Sequence, residues 1–189
     1  MKIRLRFLTA LLAAFLSLVS MEAKAVEPEN TLIIKLNTGE VVIELLPEVA
    51  PKHVERVKAL AKEGAYDGVA FHRVIDGFMA QTGDVEFGKG TNTARMGTGG
   101  SSYPNLPAEF SKLPFERGVV GMARAQNPNS ANSQFFIMFE NGDFLNGQYT
   151  VFGRVISGME HVDNIKKGSR AANGSVEDPD RMISVRVGG

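Results

Sequence analysis

Residues 71–84 read FHRVIDGFMAQTGD, from Phe71 through Asp84, and this stretch decides the fold. It contains two strand-like halves, Val69 to Val74 and Phe78 to Thr82, joined by Ile75-Asp76-Gly77. Asp-Gly between apolar runs is a strong hairpin signal, because glycine accepts the positive φ that tight hairpin turns demand. Side chains alternate along a strand, so a hairpin here can project Arg73 and Gln81 to one face. Phe78 and Met79 stand close by in the chain. One guanidinium and one amide beside two large apolar side chains suit a site that grips an apolar group and polarises a neutral amide.

Two further segments extend the pattern. Residues 118–139 read GVVGMARAQNPNSANSQFFIMF and supply a second amide, Gln134, among Met122, Phe135 and Phe136. Phe135 and Phe136 are adjacent in a strand and must face opposite sides, so one belongs to the core while the other is free to line a pocket. Residues 144–155 read FLNGQYTVFGRV.

Together the three segments closely resemble the cyclophilin family of peptidyl-prolyl cis/trans isomerases, and in particular its single-domain bacterial members. FHRVIDGFMAQTGD is similar to the family's FHR-x-I-x-GFM-x-Q-x-GD, and Ser133-Gln134-Phe135-Phe136-Ile137 to its SQFFI. The likeness runs over about residues 31–187. It implies a mainly β fold, a closed eight-stranded antiparallel barrel capped by two α-helices. It implies Arg73 and Gln81 as catalytic residues and Phe78, Met79, Phe136 and Leu145 as the slot for a proline ring, with Met122 nearby. Gln81 and Gln134 are expected to hydrogen-bond the substrate backbone, and the main chain at Ala123 and Arg124 to pair with the peptide in strand fashion. Phe144 and Tyr149 fall at the rim.

Three positions depart from the best-known eukaryotic pattern. Phe144-Leu145 stands where many members have Trp-Leu, Tyr149 where a His is common, and Arg124 where Asn is common. The chain has no Trp at all, so an indole donor for cyclosporin is missing and weak binding of that inhibitor is expected. Tyr149 can still stack on a proline ring and donate through its hydroxyl.

The chemistry explains why so few polar groups suffice. Rotation about an X-Pro bond breaks amide resonance against a barrier near ~18–20 kcal/mol and takes tens to hundreds of seconds uncatalysed. No covalent bond forms or breaks, so neither nucleophile, metal nor cofactor is expected. What helps is a donor that favours the pyramidal prolyl nitrogen, whose lone pair is freed only as the bond twists. A guanidinium, always charged and rich in donors, fits. The expected partners are proline-containing extended or unfolded polypeptides. A non-catalytic proline-peptide chaperone would use the same pocket, but has no need of Arg73 and Gln81.

Composition bounds the rest. At 189 residues with 43% hydrophobic content, the chain is long enough for one sizeable core. Lys2, Arg4 and Arg6 precede an apolar run of 13 residues, Phe7 to Val19, and Ala23-Lys24-Ala25 is a small-x-small cleavage site. Residues 1–25 therefore read as a secretory signal peptide, and 26–189 as the isomerase domain. The run is below the ~20 residues needed to span a bilayer, so no membrane anchor is expected after cleavage. Bacterial export to the periplasm is the expected destination, with folding of exported proteins as the role. The mature chain carries 17 cations against 20 anions and no clustered basic face, which argues against nucleic acid. There is no Cys, hence no disulfide and no thiolate chemistry. A monomer is the default expectation.

Apolar alternation predicts strands at 31–36, 41–46, 69–74, 78–82, 119–123, 134–139, 151–155 and 182–187, and helices at 50–62 and 159–166. Residues 86–114, rich in Gly, Thr, Ser and Pro around Gly97-Thr98-Gly99-Gly100, read as a long ordered loop, and the cyclophilin resemblance implies that it runs beside the site. Other motifs fail on inspection. GDVEFGK at 83–89 lacks the Ser/Thr and helix of a P-loop, and His53, His72 and His161 show no zinc spacing. His72 points away from Arg73's face and reads as a packing residue. Asn173-Gly174-Ser175 reads as a turn and not as a glycosylation site.

Overall fold

The computed structural model describes residues 26–91 and 94–189. The expected signal peptide at 1–25 lies outside the described residues. Strand β1 (Thr31–Leu36) and strand β2 (Gly39–Leu45) form the first hairpin, with Leu36 opposite Gly39, so its turn narrows to Asn37-Thr38. Leu32, Ile34 and Leu36 of β1 and Val41, Ile43 and Leu45 of β2 are all buried. A slip of one residue would turn these six side chains outward, and at roughly 1.5–3 kcal/mol each that rules out another register.

Helix α1 (Pro51–Lys62) buries His53, Val54, Val57, Leu60 and Ala61, the 3.6-residue stripe predicted from sequence. Pro51 fits its first turn, where an N–H would lack a partner anyway. The cap comes from elsewhere in the chain. Glu109 accepts hydrogen bonds from the Lys52 and His53 main-chain N–H groups (3.3 and 3.2 Å) and lies 2.6 Å from His53 Nδ1. Gly64, at φ +67°, ends the helix in the left-handed conformation.

Strands β3 (Arg73–Ile75) and β4 (Met79–Thr82) form the decisive hairpin, followed by β5 (Val119–Met122), β6 (Phe135–Met138) and β7 (Val151–Ser157). Helix α2 (Met159–Asp163) and strand β8 (Ser184–Val187) complete the fold. The largest differences from the expected ranges are the shortening of β3 and of α2. The main-chain groups that pair with residues 69–72 include those of Gly88, Val176, Asp180 and Met182, none of them in a strand, so β3 begins only at Arg73. Helix α2 stops at Asp163 because the Lys166 N–H turns away to the Asp180 carboxylate.

All eight strands join one antiparallel sheet in the order β3-β4-β6-β5-β7-β2-β1-β8, with α1 packed on β7 and β8 and α2 on β2. The eight strands and two helices match the sequence reading, but closure is partial. The end strands β3 and β8 do not pair, so the expected closed barrel is a curled half-barrel. Its gap is filled by the isolated bridges Ala70–Arg181 and Arg73–Ser175.

Alternation along β3, β4 and β6 then sorts two faces. Val74, Ala80, Phe135 and Ile137 enter the main core, together with Leu32, Ile43 and the α1 stripe. Met79, Phe136 and Met138 face the other way into a second cluster with Phe115, Leu145 and Val151. The candidate site sits on this second face.

Candidate active site

The hairpin turn sets the first pair. Gly77 takes φ +70° and the Phe78 N–H bonds to the Ile75 carbonyl, which places Arg73 directly opposite Gln81 in the β3–β4 register. Arg73 Nη1 donates to Gln81 Oε1 at 3.3 Å and lies 3.8 Å from Met79 Sδ. Gln81 Nε2 donates to Gln134 Oε1 at 3.0 Å. Gln134 Nε2 in turn donates to the carbonyls of Gly97 (3.0 Å) and Gly99 (2.8 Å) in the long loop. A chain of side-chain amides thus runs from the guanidinium to the Gly97–Gly100 turn. Gln81 lies on the same face of β4 as Met79, opposite the main core.

Beside this chain is a hollow of about 310 Å³, lined by Arg73, Phe78, Met79, Gln81, Ala123, Arg124, Phe136, Phe144, Leu145 and Tyr149. Its floor is aromatic. Phe136 stacks on buried Phe115 with centroids 5.6 Å apart and meets Tyr149 edge-on at 5.8 Å, while Phe78 leans on Phe144 at 5.4 Å. Gly121 lies opposite Phe136 in the β5–β6 register, and a Cβ there would fall 2.6 Å from both Phe115 Cε1 and Phe136 Cζ. Only a residue without a side chain lets those two rings stack.

Ten of the twelve sequence-predicted residues therefore share one hollow, and two do not. Met122 is 1% exposed and belongs to the main core, where β5 alternation directs it. Gln134 lines an adjoining polar hollow of about 440 Å³, reached past Gln81, Ala123 and Arg124. Both hydrogens of its amide group go to the loop, so its visible work is to fix the loop and Gln81. The strand-like docking edge is narrower than expected too. The Ala123 N–H bonds to the Gln134 carbonyl at 2.9 Å, which leaves the Ala123 carbonyl and the Arg124 N–H for a peptide.

Several contributors were not legible in sequence. The Arg124 side chain lies 4.4 Å over the Tyr149 ring and donates to the carbonyls of Ala125, Gln126 and Gln148. Asp84 is fully buried and its carboxylate accepts from the N–H groups of Glu86, Phe87, Gly97 and Gly99 at 2.7–3.1 Å. Asn173 bonds Arg73 from the far side. His72 is buried against Gly97 as a packing residue, and burial lowers its pKa against the opposing pull of the Asp84 charge. Burial also lowers the Arg73 pKa, with Tyr149 acting in the other direction, but a guanidinium remains charged at any ordinary pH. Among the described residues, no group of three His, Asp or Glu side chains is placed to hold a metal ion.

Comparison with known proteins agrees with this geometry. Residues 31–187 match the family described as cyclophilin type peptidyl-prolyl cis-trans isomerase/CLD. A Brucella suis protein named "Probable peptidyl-prolyl cis-trans isomerase" is 65% identical over 181 residues, covering 93% of this chain and 92% of that one. Peptidyl-prolyl cis-trans isomerase B of Bacillus subtilis is 42% identical over 131 residues, covering 69% of this chain and 85% of its own. Among solved structures, the cyclophilin AquaCyp293 from Hirschia baltica superposes with a TM-score of 0.73 at 27% identity, covering 86% of this chain and 75% of that chain. A Cryptosporidium parvum cyclophilin type peptidyl-prolyl cis-trans isomerase, determined in the presence of the dipeptide Ala-Pro, gives 0.72 at 28% identity over 84% of this chain and 99% of its own. The chain belongs to the cyclophilin family, and its class activity is peptidyl-prolyl cis-trans isomerisation.

Proposed function

We propose that this isomerase acts on proline-containing extended peptides, with the proline ring in the aromatic hollow and Arg73 stabilising the twisted prolyl amide. The observation that carries the reading is the guanidinium itself. It is half-buried at the wall of an apolar slot and tethered by Gln81 on one side and Asn173 on the other. Oxygen acceptors engage three of its five N–H groups and Met79 Sδ lies 3.8 Å from Nη1, which leaves the second N–H of Nη2 for a substrate. An interaction that strengthens only as the nitrogen pyramidalises lowers the barrier without trapping either planar ground state. The Ala123 carbonyl and Arg124 N–H supply the strand-like edge that sets the peptide's direction. Exchange NMR of a short Ala-Pro peptide tests the assignment, with Arg73→Ala as the decisive comparison. Binding without accelerated exchange would leave the chaperone reading in its place.

The rim carries a second proposal. Phe144 is 65% exposed and offers an apolar ring where an indole would present an N–H. Cyclosporin binding is expected to be weak while isomerisation is retained. A titration giving a dissociation constant in the low nanomolar range would contradict this.

We further propose export to the bacterial periplasm and a role in folding exported proteins. The reading is supported by the basic start, apolar run and Ala23-Lys24-Ala25 site of the leader. Mass spectrometry of the protein from its native cell envelope is expected to find a mature chain beginning at Val26. A mature chain that keeps residues 1–25 would overturn it.

A further inference from the structure

Arg73 is held by a residue that lies 100 positions further along the chain. Its Nε donates to the Asn173 main-chain carbonyl at 3.0 Å, and its Nη2 donates to Asn173 Oδ1 at 3.1 Å. Both oxygens of one residue thus grip the Nε–Nη2 edge of one guanidinium. The planar fork of an arginine suits such a two-point grip.

The segment around Asn173 is built to present that grip. The Val74 N–H bonds to the Gly174 carbonyl (2.8 Å), the Gly168 N–H to the Val74 carbonyl (2.9 Å) and the Val176 N–H to the His72 carbonyl (3.1 Å). Residues 168–176 therefore dock along the free edge of β3, and Arg170 Nη2 adds a bond to the Asp76 carbonyl at 2.9 Å. Asn173 itself sits at φ +51°, ψ +35°, in the left-handed region. Asn is among the few residues with a side chain that enter this region readily. Glycine would satisfy the turn alone, so the turn does not account for the side-chain oxygen on Arg73.

We propose that Asn173 is a positioning residue for catalysis, fixing the Arg73 guanidinium against the wall of the proline slot. Gln81 holds the remaining corner through Nη1, so the plane of the group is fixed from two sides before substrate arrives. The proposal rests on Arg73 acting on the prolyl bond, as set out above. It assigns Asn173 no contact with substrate.

The variants are Asn173→Gly, which keeps the left-handed turn and the main-chain acceptor but removes Oδ1, and Asn173→Asp, which keeps an acceptor in the same place. Exchange NMR of an Ala-Pro peptide separates affinity from exchange at saturation. Asn173→Gly is expected to slow exchange about tenfold, the scale of one hydrogen bond to a charged group, with affinity within about twofold of wild type. Asn173→Asp is expected to stay within about threefold of wild type on both counts. In an Arg73→Ala background, Asn173→Gly is expected to have no further effect, because the route through Arg73 is gone. NMR of the Arg73 side chain gives a readout apart from turnover, with slow rotation of the guanidinium in wild type and faster rotation in Asn173→Gly.

Wild-type exchange in Asn173→Gly overturns the proposal. So does an equal loss from that change with and without Arg73, which would mark Asn173 as a purely structural turn residue. If Arg73→Ala itself exchanges at the wild-type rate, the mechanism fails first and the catalytic role of Asn173 falls with it. The rotation measurement still reports whether Asn173 restrains the guanidinium.

Discussion

Arg73→Ala is expected to slow cis/trans exchange of a short Ala-Pro peptide by about 10²–10³, or roughly 3–4 kcal/mol of lost transition-state stabilisation. The scale is that of removing one charged or preorganised donor from a partly dry site. Arg73 qualifies on both grounds, because it is half-buried and its orientation is set by bonds to Gln81 and Asn173. The fold should survive the change. Strand β3 is held to β4 by main-chain pairing from Arg73–Gln81 to Ile75–Met79, and Gln81 keeps its bond to Gln134. Peptide affinity should fall far less than rate, since Phe78, Met79, Phe136 and Leu145 still form the slot. Arg73→Lys restores charge but not the planar fork, so it should recover only part of the loss. Exchange spectra of the three proteins, with urea unfolding as a control for stability, decide the point. A rate for Arg73→Ala within about threefold of wild type would remove the guanidinium from the mechanism.

Why Arg73 was legible in sequence, and Asn173 was not, is a matter of range. Pairing of Arg73 with Gln81 follows from a local rule, the Asp76-Gly77 turn acting through strand alternation. The same alternation required Phe135 and Phe136 to part, the family resemblance chose Phe136 for the slot, and the two rings do lie in opposite clusters. Heptad-free helical spacing likewise gave α1 almost to the residue. Contacts made by irregular segments obey no such period. Asn173 reads as a turn in sequence, and only docking of residues 168–176 on β3 brings it to Arg73. The capping of α1 by Glu109 is of the same kind, as is the spending of the Gln134 amide on Gly97 and Gly99. Closure was misjudged for a related reason. Strand count and alternation do not say whether β3 meets β8, and here loop segments occupy the gap instead. Met122 was placed near the slot by the family resemblance, whereas its strand parity sends it to the core.

Asp84→Asn is expected to cost about 2–4 kcal/mol of stability and to slow exchange about tenfold, although Asp84 touches no part of the proline slot. The substitution is nearly isosteric, so packing around the site changes little. What changes is the count of acceptors. The carboxylate, fully buried, takes main-chain hydrogens from Glu86 and Phe87 on Oδ1 and from Gly97 and Gly99 on Oδ2. An amide offers one oxygen and one NH₂, so two of the four N–H groups would face a donor and lose their partner. Gly97 and Gly99 are themselves only partly buried, which admits some water and keeps the cost below that of a fully dry pair. The effect reaches catalysis through the loop. Gly97 and Gly99 carry the carbonyls that accept from Gln134, which holds Gln81, which holds Arg73. Loosening that end of the chain frees the guanidinium at the other. Urea unfolding reads the stability change, and exchange at saturating Ala-Pro peptide reads the activity change. Unaltered stability would show that the loop does not depend on the Asp84 charge. Lowered stability with a wild-type exchange rate would show that the amide chain does not transmit the loop's position to Arg73.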